Sequence, residues 1–299
     1  MIHSRLGYNR FTMKVTVFGA TGLIGKSLVR EWYDDQIIPL SSKDADLRSE
    51  LQVREAVERT RPDCIVLAAA YADVDWCESN KDLAFDINCR GAVRVARVAA
   101  QFQSKFIFLS TDYVFDGNKT SPYEINDPRA PQSVYGASKA EAEIEILKIL
   151  PTACIIRTSW VFGVDRKCFP ETIIELASTK PDIDVVTDQQ GCPTYTVDLA
   201  RAIIQLCRKN VQGIVHVTNQ GDCTWFDFAR EIVKKAGLAT KINPATSDKF
   251  VRPAKRPKYS VLSSASLKQY QITMPTWQDA LQRYIEERNS MKRTHLAPA

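Results

Sequence analysis

No stretch of this 299-residue chain approaches the roughly 20 consecutive apolar residues that a bilayer-spanning helix requires, which argues against a membrane partner. None of the eight cysteines forms a C-x-x-C pair, and most fall inside apolar helix or strand patterns. That fits buried, reduced thiols in the cytoplasm better than disulfides or a zinc site. The three histidines, His3, His216 and His295, lie too far apart to suggest a histidine-based metal centre. An excess of one charge is also missing. The net charge of +5 is mild, and Lys and Arg are interleaved with Asp and Glu, so nucleic acid is not an expected partner. The first twelve residues lack the apolar stretch of a secretory signal and read as an unstructured extension before Met13, a second candidate start. Internal repeats and low-complexity segments are absent as well.

What the chain does have is alternation. β-branched or apolar runs at Lys14–Gly19, Gln36–Leu40, Asp63–Ala70, Lys105–Thr111 and Cys154–Thr158 read as strands. Helical spacing occupies Leu23–Tyr33, Glu50–Thr60, Leu83–Gln101 and the segment around Tyr135. Nearly continuous apolar strands alternating with helices predict an α/β fold, a doubly wound parallel sheet of Rossmann type. Beyond Trp160 the alternation weakens. Strands at Asp184–Asp188 and Gly213–Thr218, a helix at Val197–Arg208, one starting near Trp225 and a last one around Trp277–Arg288 complete the reading. The expected division is a dinucleotide-binding domain over 13–161 plus 188–220, a smaller α/β substrate lobe over 162–187 plus 221–290, and a tail over 291–299.

Gly19-Ala-Thr-Gly22-Leu-Ile-Gly25 lies between a predicted strand and a predicted helix. Glycines there allow a tight turn and close approach of backbone to a pyrophosphate at the helix N-terminus. The second strand ends in Leu40-Ser-Ser-Lys43, without the acidic residue that commonly accepts from the ribose 2′-hydroxyl of NAD. Hydroxyls and a cation suit a 2′-phosphate, so NADPH is expected; Asp44, one residue on, leaves NADH open. Asp46 and Leu47 are candidates for the adenine, and the small Ala68, Ala69 and Ala70 would let a cofactor lie close to a strand end.

Tyr135 and Lys139 stand four residues apart, so on a helix they share one face. A phenol titrating near ~10 is a weak acid at neutral pH, and a fixed cation beside it would favour the phenolate. Thr111 ends a buried strand, at the sheet edge where open α/β sheets bind ligands; its hydroxyl can bond a substrate carbonyl or cap the next turn.

The glycine turn, the strand-end hydroxyl and Tyr-x-x-x-Lys together resemble the extended short-chain dehydrogenase/reductases. Ala68–Asp75, Ser110-Thr-Asp-Tyr-Val-Phe115, Val134–Lys139, Arg157-Thr-Ser-Trp-Val161, Asp188–Thr194 and Arg256–Ser260 narrow the likeness to the dTDP-4-dehydrorhamnose reductase family over about residues 13–288. The resemblance implies NADPH-dependent reduction of the C4 ketone of dTDP-4-dehydro-L-rhamnose, in nucleotide-sugar synthesis. Tyr135 would donate the proton, Lys139 would lower its pKa and hold the nicotinamide ribose, and Thr111 would position the ketone oxygen. Cofactor contacts are implied at Gly19, Gly22, Leu23, Ile24, Gly25, Ser42, Asp46, Leu47, Ala68, Ala69, Ala70, Tyr135 and Lys139. Substrate contacts are implied at Val74, Thr111, Asp112, Trp160, which would offer its flat face to the sugar, and Arg256, with Arg252 beside it. Asn88 matches the asparagine that supports the catalytic centre in that superfamily. Some relatives are dimers joined through magnesium held by glutamates. Ser27 and Val197 stand where such glutamates would fall, so Mg2+ is a family feature not expected here, and monomer or homodimer stays open. Two other readings remain: another nucleotide-sugar reductase or epimerase, and a non-catalytic NADP-binding regulatory subunit of methionine adenosyltransferase.

Overall fold

The computed structural model describes residues 13–296, so the expected extension over residues 1–12 lies outside the described residues. Six parallel strands form the central sheet, in the spatial order Gly213–His216, Cys154–Thr158, Lys105–Thr111, Cys64–Leu67, Lys14–Phe18 and Gln36–Leu40. Side chains alternate across a strand, and here both sets are buried. Val15, Val17, Cys64 and Val66 enter one core with Leu28, Leu199 and Ile203. Phe18, Ile65 and Leu67 enter the other with Val53, Val95, Ala142 and Ile146. Helices therefore cover both faces, which is why these strands read as continuous apolar runs. The strand order reverses between Lys14–Phe18 and Cys64–Leu67, and that reversal opens a crevice at the carboxyl edge.

A third, smaller core gathers Phe162, Ile173, Ile183, Phe228, Trp277, Leu281 and Tyr284. Its own two-stranded parallel pair joins Asp182–Val186 to Lys241–Ala245. The sharing of side chains cuts across the expected ranges. Tyr195 and Val197 belong to the small core, whereas Leu267, Ile272 and Met274 pack with the sheet.

Three local differences from the expected elements stand out. The third strand stops at Leu67, so Ala68–Ala70 form loop. A short helix, Val74–Ser79, precedes Lys81–Phe85, and a π-helical turn at Asp86–Gly91 joins the latter to Ala92–Gln101. The last helix continues from Trp277 to Leu296, through residues expected to be tail. Among the described residues no helix is long and apolar enough to cross a membrane.

Candidate active site

The glycine turn is built for close approach. Gly19 holds φ +82°, and a Cβ on Gly25 would stand 2.1 Å from the Gly19 carbonyl oxygen, so a side chain there would unseat the turn. The helix Leu23–Glu31 that follows begins at Gly22 with no side-chain cap and no acidic residue in its first turn. Its first amides, with the positive end of the helix dipole, suit a phosphate anion. Gly19 also packs on the loop after the third strand, where an added Cβ would lie 2.5 Å from the Ala69 nitrogen. The residues present therefore fit a dinucleotide. Leu47 and Asp46 are otherwise occupied: the Leu47 side chain is in the core, and Asp46 pairs with Arg48 at 2.6 Å. Ser42 is exposed.

Tyr135 sits in the first turn of the helix Val134–Ile149, capped by the Ser133 hydroxyl, which accepts from Gly136 N at 3.1 Å. Glu78, from the short helix before the π turn, accepts from Val134 N at 2.8 Å and fixes the same end. Gly136 admits the loop that carries Thr111, since its Cβ would meet the Tyr113 carbonyl oxygen at 2.2 Å. The result brings the Tyr135 phenol against the Thr111 hydroxyl. Thr111 also caps the turn Asp112–Val114, accepting from Tyr113 N at 3.2 Å. The capping use expected of that hydroxyl is present.

The electrostatics differ from the expectation. Burial raises the Tyr135 phenol above its ordinary range, and the nearby Asp112 carboxylate adds to this while the Thr111 hydroxyl opposes it. The net shift is upward, opposite to the direction expected from the spacing. Lys139 is itself buried, with its ammonium 3.9 Å from the centroid of the Phe108 ring. A cation–π contact offers about 0.5–2 kcal/mol, whereas desolvating an ammonium costs several kcal/mol. Burial wins, and the Lys139 pKa falls to about 7, with Glu143 pulling the other way. Asp112 is likewise buried and pushed up to about 6. Its Oδ1 accepts from Thr111 at 3.1 Å, and its Oδ2 has no hydrogen-bond partner among the described residues.

Two supports hold this arrangement, Asn88, which the sequence had singled out, and Glu143, which it had not. Asn88, in the π turn, accepts from Tyr71 N at 2.8 Å and donates to Tyr71 O at 2.9 Å and Ser138 Oγ at 3.2 Å, tying the loop beside the cleft to the Tyr135 helix. Glu143, fully buried, accepts from Ser110 Oγ at 2.5 Å, from Arg157 at 2.9 and 2.7 Å, and from Arg129 at 2.6 Å. Ser110 and Arg157 are register partners on adjacent strands, so one carboxylate locks the residue before Thr111 to the helix of Lys139. The signal was present: the four-residue spacing that links Tyr135 to Lys139 continues to Glu143.

The expected substrate residues are placed unevenly. Val74 opens the helix Val74–Ser79. Trp160, held at φ +46°, stacks on Trp225 with centroids 3.6 Å apart, and Gly191 packs so tightly against the indole that a Cβ would lie 2.5 Å from it. A second tryptophan therefore covers one of its two flat faces. Arg256 forms a bidentate pair with Asp75 at 2.7 and 2.8 Å, and Arg252 reaches the same carboxylate at 3.5 Å. Ser27 is buried and donates to Thr196 Oγ1 at 2.8 Å and Asp165 at 3.1 Å, while Val197 lies in the small core.

A doubly wound sheet with a glycine turn at its strand reversal, and a Tyr-x-x-x-Lys helix meeting a strand-end hydroxyl, is the arrangement of the short-chain dehydrogenase/reductases. Comparison with known proteins narrows this: the family model described as the RmlD substrate binding domain matches residues 13–290, and the chain belongs to that family. It is 39% identical to the spore coat polysaccharide biosynthesis protein SpsK of Bacillus subtilis, over 93% of this chain and 98% of that one. It is 35% identical to the dTDP-4-dehydrorhamnose reductase of Mycolicibacterium smegmatis, over 94% of this chain and 87% of that one. Among solved structures it matches the dTDP-4-dehydrorhamnose reductase from Bacillus anthracis in complex with NADP, with TM-score 0.90 and 36% identity, over 92% of this chain and 99% of that one.

Proposed function

We propose that this chain is an NADPH-dependent reductase that converts the C4 ketone of dTDP-4-dehydro-L-rhamnose into the alcohol of dTDP-L-rhamnose. The observation that carries the reading is the meeting of the Tyr135 and Thr111 hydroxyls at the carboxyl edge of the sheet, on the crevice that begins at the glycine turn. The relatives named for this reductase, one of them crystallised with NADP, support the substrate and cofactor.

When bound, the nicotinamide supplies the hydride. Thr111 orients the ketone oxygen, and Tyr135 gives its phenolic proton to that oxygen as negative charge develops. A phenol raised by burial keeps its proton at neutral pH, which is the state a reduction needs. Lys139, one turn along, holds the ribose hydroxyls. The test supplies dTDP-glucose together with the dehydratase and epimerase that make the 4-keto-L-sugar, and follows NADPH absorbance. NADPH consumption that requires all the added components is expected. Absence of oxidation with any dTDP-4-ketohexose, together with capture of a methionine adenosyltransferase, would replace this reading by the regulatory one.

A further inference from the structure

We infer that Asp44 sets the balance between NADPH and NADH, by occupying in the free chain the donors that a ribose 2′-phosphate would need. The inference rests on the reading of the crevice as a nicotinamide dinucleotide site. A cavity of about 450 Å³ lies between the first helix and the end of the second strand, lined among others by Thr21, Lys26, Arg30, Ser41 and Asp44. The strand end is fixed against the glycine turn, because Gly19 N and Ala20 N both donate to Leu40 O, at 3.0 and 3.1 Å. Ser41 therefore cannot drift from the cofactor's path.

One oxygen of Asp44 takes both donors of Ser41. Its Oδ2 accepts from Ser41 N at 2.8 Å and from Ser41 Oγ at 2.7 Å, while Ser41 Oγ accepts from Lys43 N at 3.2 Å. Asp44 itself is exposed, and its Oδ1 accepts no hydrogen bond among the described residues. A carboxylate is thus seated where a phosphate monoester would seat, since both are anions that accept from the same amide and hydroxyl. For NADH, the unused Oδ1 is an acceptor for the 2′-hydroxyl, the role an acidic residue at this strand end commonly fills. For NADPH, the carboxylate must swing off Ser41 and leave its amide and hydroxyl to the phosphate, beside the exposed Lys43 and Lys26. Arg30 contributes less, because Asp165 holds its guanidinium at 3.1 Å and Glu287 at 3.2 Å.

The experiment titrates NADPH and NADH onto the full chain by the fluorescence of the reduced nicotinamide, for the wild type, Asp44→Asn and Asp44→Ala. Asn keeps the shape and removes the charge; Ala removes both. The ratio of the NADH to the NADPH dissociation constant is expected to rise about tenfold or more in both variants, the scale of one charge-assisted interaction. Thermal unfolding should stay unchanged, as Asp44 is on the surface. A change in the ratio smaller than about threefold, with both nucleotides still bound, overturns this inference and leaves the proposed function standing. A wild type that binds neither nucleotide overturns both.

Discussion

Two successive turns of the helix Val134–Ile149 handle buried charge in opposite ways. At Glu143, every lone pair is answered: two arginines and a serine surround the carboxylate, and its pKa is lowered despite full burial. One turn earlier, the Lys139 ammonium lies over the Phe108 ring, and Asp112 has an oxygen with no hydrogen-bond partner among the described residues. Both are pushed toward their neutral forms. The contrast shows where the fold was free to satisfy itself and where it was not. Buried titratable groups displaced from their ordinary values cluster at reaction centres, and these two lie beside Tyr135 and Thr111.

Removing the phenol oxygen should break the comparison most sharply. Tyr135→Phe is expected to lower kcat by about 10²–10⁴-fold, the range general acid catalysis supplies, with little change in unfolding or NADPH binding. A variant that keeps most of its rate would eliminate Tyr135 as the donor. Next comes the satisfied turn. Glu143→Gln leaves two arginines beside a neutral group and should cost about 3–5 kcal/mol in urea unfolding, because a buried pair broken on one side strands the other. A loss under about 1 kcal/mol would show that solvent or rearrangement compensates there.

The smallest effect has the opposite sign. Asp112 titrates near 6 in the folded chain and lower when unfolded, so the native state binds the extra proton between those values. Stability contributed by this group therefore falls as pH rises from about 4 to 6, and stays reduced above that. Asp112→Asn should accordingly gain about 1–3 kcal/mol at pH 8 and almost nothing near pH 4, while activity drops. Destabilisation at pH 8 would mean that the carboxylate is better solvated than its burial implies.

Much of the site's skeleton was legible because it depends on local spacing. The glycine turn, the strand end at Thr111 and the Tyr135–Lys139 face need only a period of 2 or 3.6 and a turn residue. What one sequence does not contain is the identity of a distant partner. Trp225 lies 65 residues after Trp160, and nothing in either segment shows that they stack. Asp75 and Arg256 pair across 181 residues, so a residue expected to contact substrate is already engaged by a carboxylate. The electrostatic error at Tyr135 has the same origin. Spacing places a lysine on the right face, but only the surrounding burial decides whether it is a strong cation.

The π turn at Asp86–Gly91 gives one of these arrangements a dependence on arithmetic. An α-helix advances about 100° per residue, and a π turn carries one residue more than a regular turn. Excising one residue between Asp86 and Gly91 would leave a continuous, regularly paired helix. The segments before and after it would keep their relative facing, because a regular turn spans the same rotation with one residue fewer. What would be lost is the widened turn from which the amide of Asn88 grips Tyr71. At this place the number of residues, independent of their identity, is itself a determinant of the cleft.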